Sequence, residues 1–92
     1  MRYEWDPVKD AENRRKHDLG LEAGIEALND PNHEYWIDDI TDYGEIRDIT
    51  LGMGRSGILF VVSTLRANDL TRIISVRKAE KNEKPWYYHG RP

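Results

Sequence analysis

The sequence predicts an α+β fold: a short N-terminal strand, two helices, a four-stranded antiparallel sheet and a short C-terminal helix. Three observations carry that reading. A helix start, Asp6-Pro7, directly follows the aromatic triplet Tyr3-Glu4-Trp5. Apolar spacing changes from near 3.6 to near 2 after Pro31. The apolar run Ile58 to Leu65 is then followed by the turn Arg66-Ala67-Asn68-Asp69 and a further apolar segment, Leu70 to Arg77, which together read as a hairpin.

Each element has a local cause. Tyr3 to Trp5 is strand-prone through its aromatics. Asp6 is a favoured N-cap and Pro7 suits the first helical turn, where its missing N–H is no loss, so a helix is expected to about His17 or Asp18. Gly20 is available to close it in the left-handed conformation. The apolar stripe of that helix, Val8, Ala11 and then Leu19, is thin, which leaves most of its surface to water or a partner. A second helix is expected from Leu21 to about Leu28, with Leu21, Ile25 and Leu28 on one face. Asn29-Asp30-Pro31-Asn32 ends it, because Pro31 cannot continue a helix.

Tyr35 to Ile40 reads as a strand, Thr41 to Gly44 as a turn and Ile46 to Leu51 as a strand, with Gly52, Gly54 and Gly57 in the following turn. Ile58 to Leu65 is apolar on both alternating faces and is therefore placed centrally. Strict alternation in the last strand puts Thr71, Ile73, Ser75 and Arg77 on one face, with Leu70, Arg72, Ile74 and Val76 on the other. Ala79 to about Lys84 is helix-prone, and Pro85 is expected to limit it. Trp86, Tyr87 and Tyr88 follow as an aromatic cluster.

Composition bounds the function. Ninety-two residues fit one domain, residues 1–92. The absence of cysteine removes disulfides, thiolate metal sites and cysteine nucleophiles, and suits a reducing cytoplasm. The longest apolar run, Ile58 to Val62, is far below the roughly 20 residues that span a bilayer, and no apolar signal region precedes the first helix, so no membrane association is expected. The net charge of −3 conceals an asymmetry: residues 1–48 hold 6 Lys and Arg against 14 Asp and Glu, a balance of −8, whereas residues 49–92 hold 8 against 3, a balance of +5. An acidic total therefore does not exclude a nucleic-acid substrate.

Three features could carry chemistry. Arg14-Arg15-Lys16-His17 closes the first helix; such cations offset the helix dipole, but His17 can also exchange a proton near neutrality. Arg72, Arg77 and Lys78 lie on or just past the last strand, where a rigid element can aim them at phosphate, while Lys81 and Lys84 read as a solvated face. Trp86-Tyr87-Tyr88 could stack on unpaired bases or close a small core. There is no phosphate-cradling glycine loop, no serine nucleophile motif and no histidine pair at metal spacing, so no cofactor and no metal are expected.

Trp5-Asp6-Pro7 with Lys9 and Asn13, then Lys16-His17 and Gly20, Asp30-Pro31, Arg47, Gly52 and Arg72-Ile73-Ile74-Ser75-Val76-Arg77-Lys78-Ala79 together resemble the BrnT family of bacterial toxins, over roughly residues 3–80. That resemblance implies a ribonuclease toxin of a type II toxin-antitoxin module, with a fold similar to the RelE and ParE superfamily. It also implies neutralisation by a BrnA-like antitoxin, in an assembly of two toxins with two antitoxins that reaches DNA only through the antitoxin. Where the family usually reads Ser-Ala-Arg, this chain has Ser75-Val76-Arg77, and Pro85 and the aromatics replace a longer charged helix.

Metal-independent cleavage through a 2′,3′-cyclic phosphate needs a base, an acid and cations around the phosphorane. Resemblance and residue chemistry together nominate His17 for proton transfer, Arg47 and Arg77 as phosphate-stabilising cations, Lys78 as further charge and Glu80 or Tyr88 as a second proton-transfer group. Lys16, Arg72, Trp86 and Tyr88 are the expected substrate contacts. Arg47, the lone base between Glu34 and Asp48, is either an ion-paired structural residue or a catalytic cation. The alternative is a non-enzymatic module of the same fold that binds a partner or targets DNA gyrase, since fold alone does not fix activity.

Overall fold

The computed structural model describes residues 2–38 and 45–92. Their order is β1 (Arg2–Glu4), α1 (Pro7–His17), α2 (Ala23–Leu28), β2 (Glu34–Asp38), β3 (Arg47–Gly54), β4 (Gly57–Arg66), β5 (Leu70–Lys78) and α3 (Lys84–His89). The expected turn at Thr41 to Gly44, and the end of the preceding strand at Asp39 and Ile40, lie outside the described residues.

The sheet corrects the expected four-stranded antiparallel arrangement. It has five strands in the order β1-β5-β4-β3-β2, with β4 central as its two-sided apolar pattern requires. β1 joins β5 in parallel, Arg2 opposite Leu70 and Glu4 opposite Arg72, and the other pairs are antiparallel. The β4–β5 turn works because Asn68 and Asp69 occupy the left-handed region at φ 63° and 59°, where Asn and Asp are the best-tolerated non-glycine residues.

Two apolar clusters cover the two sheet faces. On the inner face, Leu59 and Val61 of β4 and Ile73 and Val76 of β5 pack with Leu21 and Ala27, all at most 1% exposed. On the outer face, Leu51, Ile58 and Ala79 pack with Trp36, Phe60, Trp86 and Tyr87 under α3. Each fully buried Leu or Ile contributes about 1.5–3 kcal/mol, so Leu21, Leu51, Leu59 and Ile73 anchor the layers. Gly52 belongs to β3 rather than to a turn: a Cβ there would lie 2.1 Å from the Ala27 carbonyl oxygen, which is how closely α2 crosses the strand.

Helix α1 is held by polar contacts, and here the structure departs from the apolar stripe read in the sequence. Val8 is 65% exposed, and the buried residue is Asn13. β1 pairs with β5 only as far as Arg72, and among the described residues no strand lines the outer edge of β5 beyond it. The Asn13 carboxamide substitutes for one: Nδ2 donates to the Val76 carbonyl at 2.8 Å, and Oδ1 accepts from the Val76 N–H at 3.1 Å. Nδ2 also donates to the Leu19 carbonyl at 2.7 Å. The α1 terminus is Asp18, left-handed at φ 57°, rather than Gly20. Gly20 instead makes room for the Arg14 guanidinium, which would stand 2.4 Å from a Cβ.

Pro85 opens α3 instead of ending a helix, since proline fits the first turn as well as it blocks an interior one. No described helix is long and apolar enough to cross a membrane.

Candidate functional site

Strand β5 carries one residue more than β4 can pair. Val62 faces Ser75 and Ser63 faces Ile73, which leaves Ile74 as the extra residue of a β-bulge. The bulge corrects the strict alternation expected for this strand. Ile73 and Val76 both face the inner core, and Arg72 and Arg77 share the outer face, by their pairing with Thr64 and Phe60. At the bulge Ile74 and Ser75 line the floor of a groove between α1 and the outer sheet face.

The groove has two parts joined through Lys9, Arg47 and Ile74. The larger, about 490 Å3, is lined by Asp6, Lys9, Glu45, Arg47, Arg66 and Arg72 together with β5. The smaller, about 220 Å3, is lined by Glu12, Asn13, Lys16, His17, Val62 and Ser75 besides the shared residues. α1 projects Lys9, Glu12, Lys16 and His17 toward the groove at helical spacing, a consequence of the Asp6 cap, whose Oδ1 accepts from the Val8 N–H at 2.8 Å. The strands supply Arg47, Arg66 and Arg72.

Most of this charge is exposed or only loosely held. Glu4 pairs with Arg72 at 2.6 Å and with Arg66 at 3.7 Å, and Arg66 also reaches Glu45 at 3.2 Å. All four of those side chains are more than 30% exposed, where pairs contribute about 0–1 kcal/mol. A phosphate entering the groove therefore competes with weak internal pairs. Lys9 and Lys16 form no ion pair among the described residues. Nor do three His, Asp or Glu side chains there cluster closely enough to hold a metal ion.

Of the residues nominated from sequence, the groove gathers His17, Lys16, Arg47 and Arg72. Arg77, Lys78, Glu80, Trp86 and Tyr88 stand outside it. Arg77 lies 3.9 Å over the Phe60 ring and donates through both terminal nitrogens to Glu83, at 2.8 and 2.9 Å. The Glu83 side chain is 9% exposed, and its Oε1 also accepts from the Glu80 N–H. The Arg77 bond holds the Glu83 carboxyl below its ordinary range, and Glu83 in turn raises Arg77. This pair ties α3 to the sheet. Trp86 packs edge-on to Trp36 with centroids 6.0 Å apart, Glu80 has a 67% exposed side chain, and Tyr88 is 65% exposed.

Sequence reasoning missed Lys9 as a site cation, along with Arg66, Glu12 and Glu45. Lys9 and Glu12 were legible: they share a helical face with Lys16. Arg66 and Glu45 were not, because they meet 21 residues apart across the sheet end.

The family profile described as "Ribonuclease toxin, BrnT, of type II toxin-antitoxin system" matches residues 5–83. The crystal structure of the Brucella abortus ribonuclease toxin BrnT is similar at a TM-score of 0.59 and 21% identity, covering 88% of this chain and 99% of that one. At that identity the likeness is one of fold. No curated protein matches the sequence.

Proposed function

The chain belongs to the BrnT family of ribonuclease toxins of type II toxin-antitoxin systems, and from that premise we propose that it is a cytoplasmic endoribonuclease cutting RNA in the α1–β5 groove without a metal ion. One observation carries the reading. Lys9, Lys16 and His17 from a helix, and Arg47, Arg66 and Arg72 from three strands, line one continuous groove.

In the proposed reaction the ribose 2′-oxygen attacks the adjacent phosphorus. The O2′–P bond forms, the P–O5′ bond breaks, and the products are a 2′,3′-cyclic phosphate and a 5′-hydroxyl. Two protons move. Glu12 and His17 share the smaller part of the groove; Glu12 takes the 2′-hydroxyl proton and His17, as imidazolium, protonates the leaving 5′-oxygen. Lys16 and Arg47 face the phosphorane, where a positioned cation favours the added negative charge over the ground state. Lys9, Arg66 and Arg72 hold flanking phosphates, and the acidic residues between Glu34 and Asp48 keep RNA off that end. Arg77 and Glu83 act by fixing α3. The partner in this reading is a BrnA-like antitoxin, two copies with two toxins, which alone contacts DNA; the mass of the co-expressed complex tests that stoichiometry.

The purified protein should cleave RNA in EDTA and leave 2′,3′-cyclic phosphate ends. RNA left intact in EDTA but cut after magnesium is restored would overturn the metal-independent reaction. RNA intact under both conditions, with tight antitoxin binding, would replace the enzyme by a binding module. Growth arrest accompanied by DNA damage and intact message would favour a gyrase-directed toxin.

A further inference from the structure

Among the described residues, the inner sheet face is only partly covered. α2 ends at Leu28, and beyond it the register puts Ile37 beside Asp48, Tyr35 beside Thr50, and Leu65 beside Thr71 on that same face. Tyr35 is 48% exposed, Ile37 56%, and Leu65 and the neighbouring Ile46 64% each. These are four of the seven large apolar side chains that the described residues expose. A hollow of about 640 Å3 runs over Tyr35, Ile46, Asp48 and Leu65, and a second of about 250 Å3 continues from Tyr35, Asp48 and Leu65 back to Leu28. Contiguous exposed apolar surface of this kind marks an interaction site.

We infer that this uncovered end of the inner face seats a basic, amphipathic helix of the antitoxin. Its shape argues for a helix. The apolar side chains come from β2 and β4 on either side of β3, a width of about 10 Å at roughly 4.8 Å per strand, which matches a helix diameter. An added edge strand would touch β2 alone. Its charge argues for a basic occupant: Asp48 sits in the hollow, where Tyr35 donates to it at 2.7 Å, and Glu45 lies on the rim against Arg66. Arg66 offsets Glu45 and leaves Asp48 as the excess charge of the lining, so a second copy would set Asp48 against Asp48 and RNA would find no excess cation there. The hollow shares Glu45 and Arg66 with the groove, so an occupant meets the rim of the proposed RNA path.

This inference rests on the antitoxin pairing of the family and not on the cleavage chemistry, so each can fail alone. The probe is the purified product of the adjacent gene, titrated calorimetrically into the toxin. Ile37→Glu with Leu65→Glu should weaken binding by about 30-fold or more, as loss of a central apolar anchor does. Its melting temperature should stay near that of the parent, since both side chains are more than half exposed. Lys16→Ala with Arg47→Ala should leave affinity within about threefold, and rising salt should weaken the parent complex more than an Asp48→Asn complex. Three results would overturn the inference: unchanged affinity in the double glutamate variant, loss confined to the groove variants, or a free toxin dimer that the glutamates split.

Discussion

The two ends of the outer sheet face use the same side chain in opposite ways. At the groove end, Arg66 and Arg72 share Glu4, whose side chain is 33% exposed, so the pairs stay open to solvent. Toward α3, Arg77 meets a carboxylate only 9% exposed, over an aromatic ring and against a fixed backbone N–H. Both ends hold arginine on rigid strand. What separates them is the burial of the carboxylate partner: a buried ion pair is costly to break, whereas an exposed one yields readily to a competing anion. A cation on a rigid strand is therefore not a phosphate site until its partner is known.

The largest effect expected at the groove end is on chemistry alone. His17→Ala should lower RNA cleavage by about 100-fold or more, while thermal unfolding stays unchanged because the last turn of α1 is exposed. Toward α3 the signature reverses. Arg77→Ala leaves Glu83 buried without its partner and should cost about 3 kcal/mol in denaturant unfolding, with cleavage by the still-folded protein largely kept. Abolished cleavage at parental stability would move Arg77 into the chemistry and erase the contrast.

Asn13 joins the two behaviours, since it lines the groove and also pins β5. Asn13→Ala strands the Val76 N–H and carbonyl and should cost about 2 kcal/mol, read by the same unfolding titration. The smallest effect is a pH dependence. Glu83 titrates below the ordinary glutamate value of 4.5, so the stability it adds is present above that pH and is lost as pH falls through the lower folded value. In Glu83→Gln the stability curve should be lower at neutral pH and flatter below pH 4; an equally steep acid limb would assign that limb to other carboxylates.

Helices and strands were legible where a local rule sets them. Asp6-Pro7 starts α1 as its capping chemistry requires, and the two-sided apolar run puts β4 at the centre. Long-range decisions were not legible. The parallel pairing of Arg2 to Glu4 with β5 follows from no local pattern, and the burial of Asn13 depends on an edge that β1 leaves open. Pro85 is equally good chemistry for ending one helix or starting another; the backbone around Glu83 decides which. Among candidate site residues, His17, Lys16, Arg47 and Arg72 were nominated by residue chemistry together with the family resemblance, and the fold brings them to one groove. Arg77 carries the same chemistry, but Glu83, six residues on, holds it elsewhere.

The bulge at Ile74 has one more consequence, for length. Arg72 and Arg77 are five residues apart, an odd spacing that a regular strand would split between its two sides. β5 is in effect an eight-residue ladder threaded by nine residues, and Ile74 is the surplus. Losing Ile74 would leave Arg72, Ile73, Val76 and Arg77 facing as they do now, whereas losing any single residue among Ile73, Val76 and Arg77 would exchange core for solvent along part of the strand unless the bulge closed to absorb it. Chains of this fold that differ in length by one residue in this strand can therefore keep the same core and the same cationic face, with Ile74 as the position where the count is free to change.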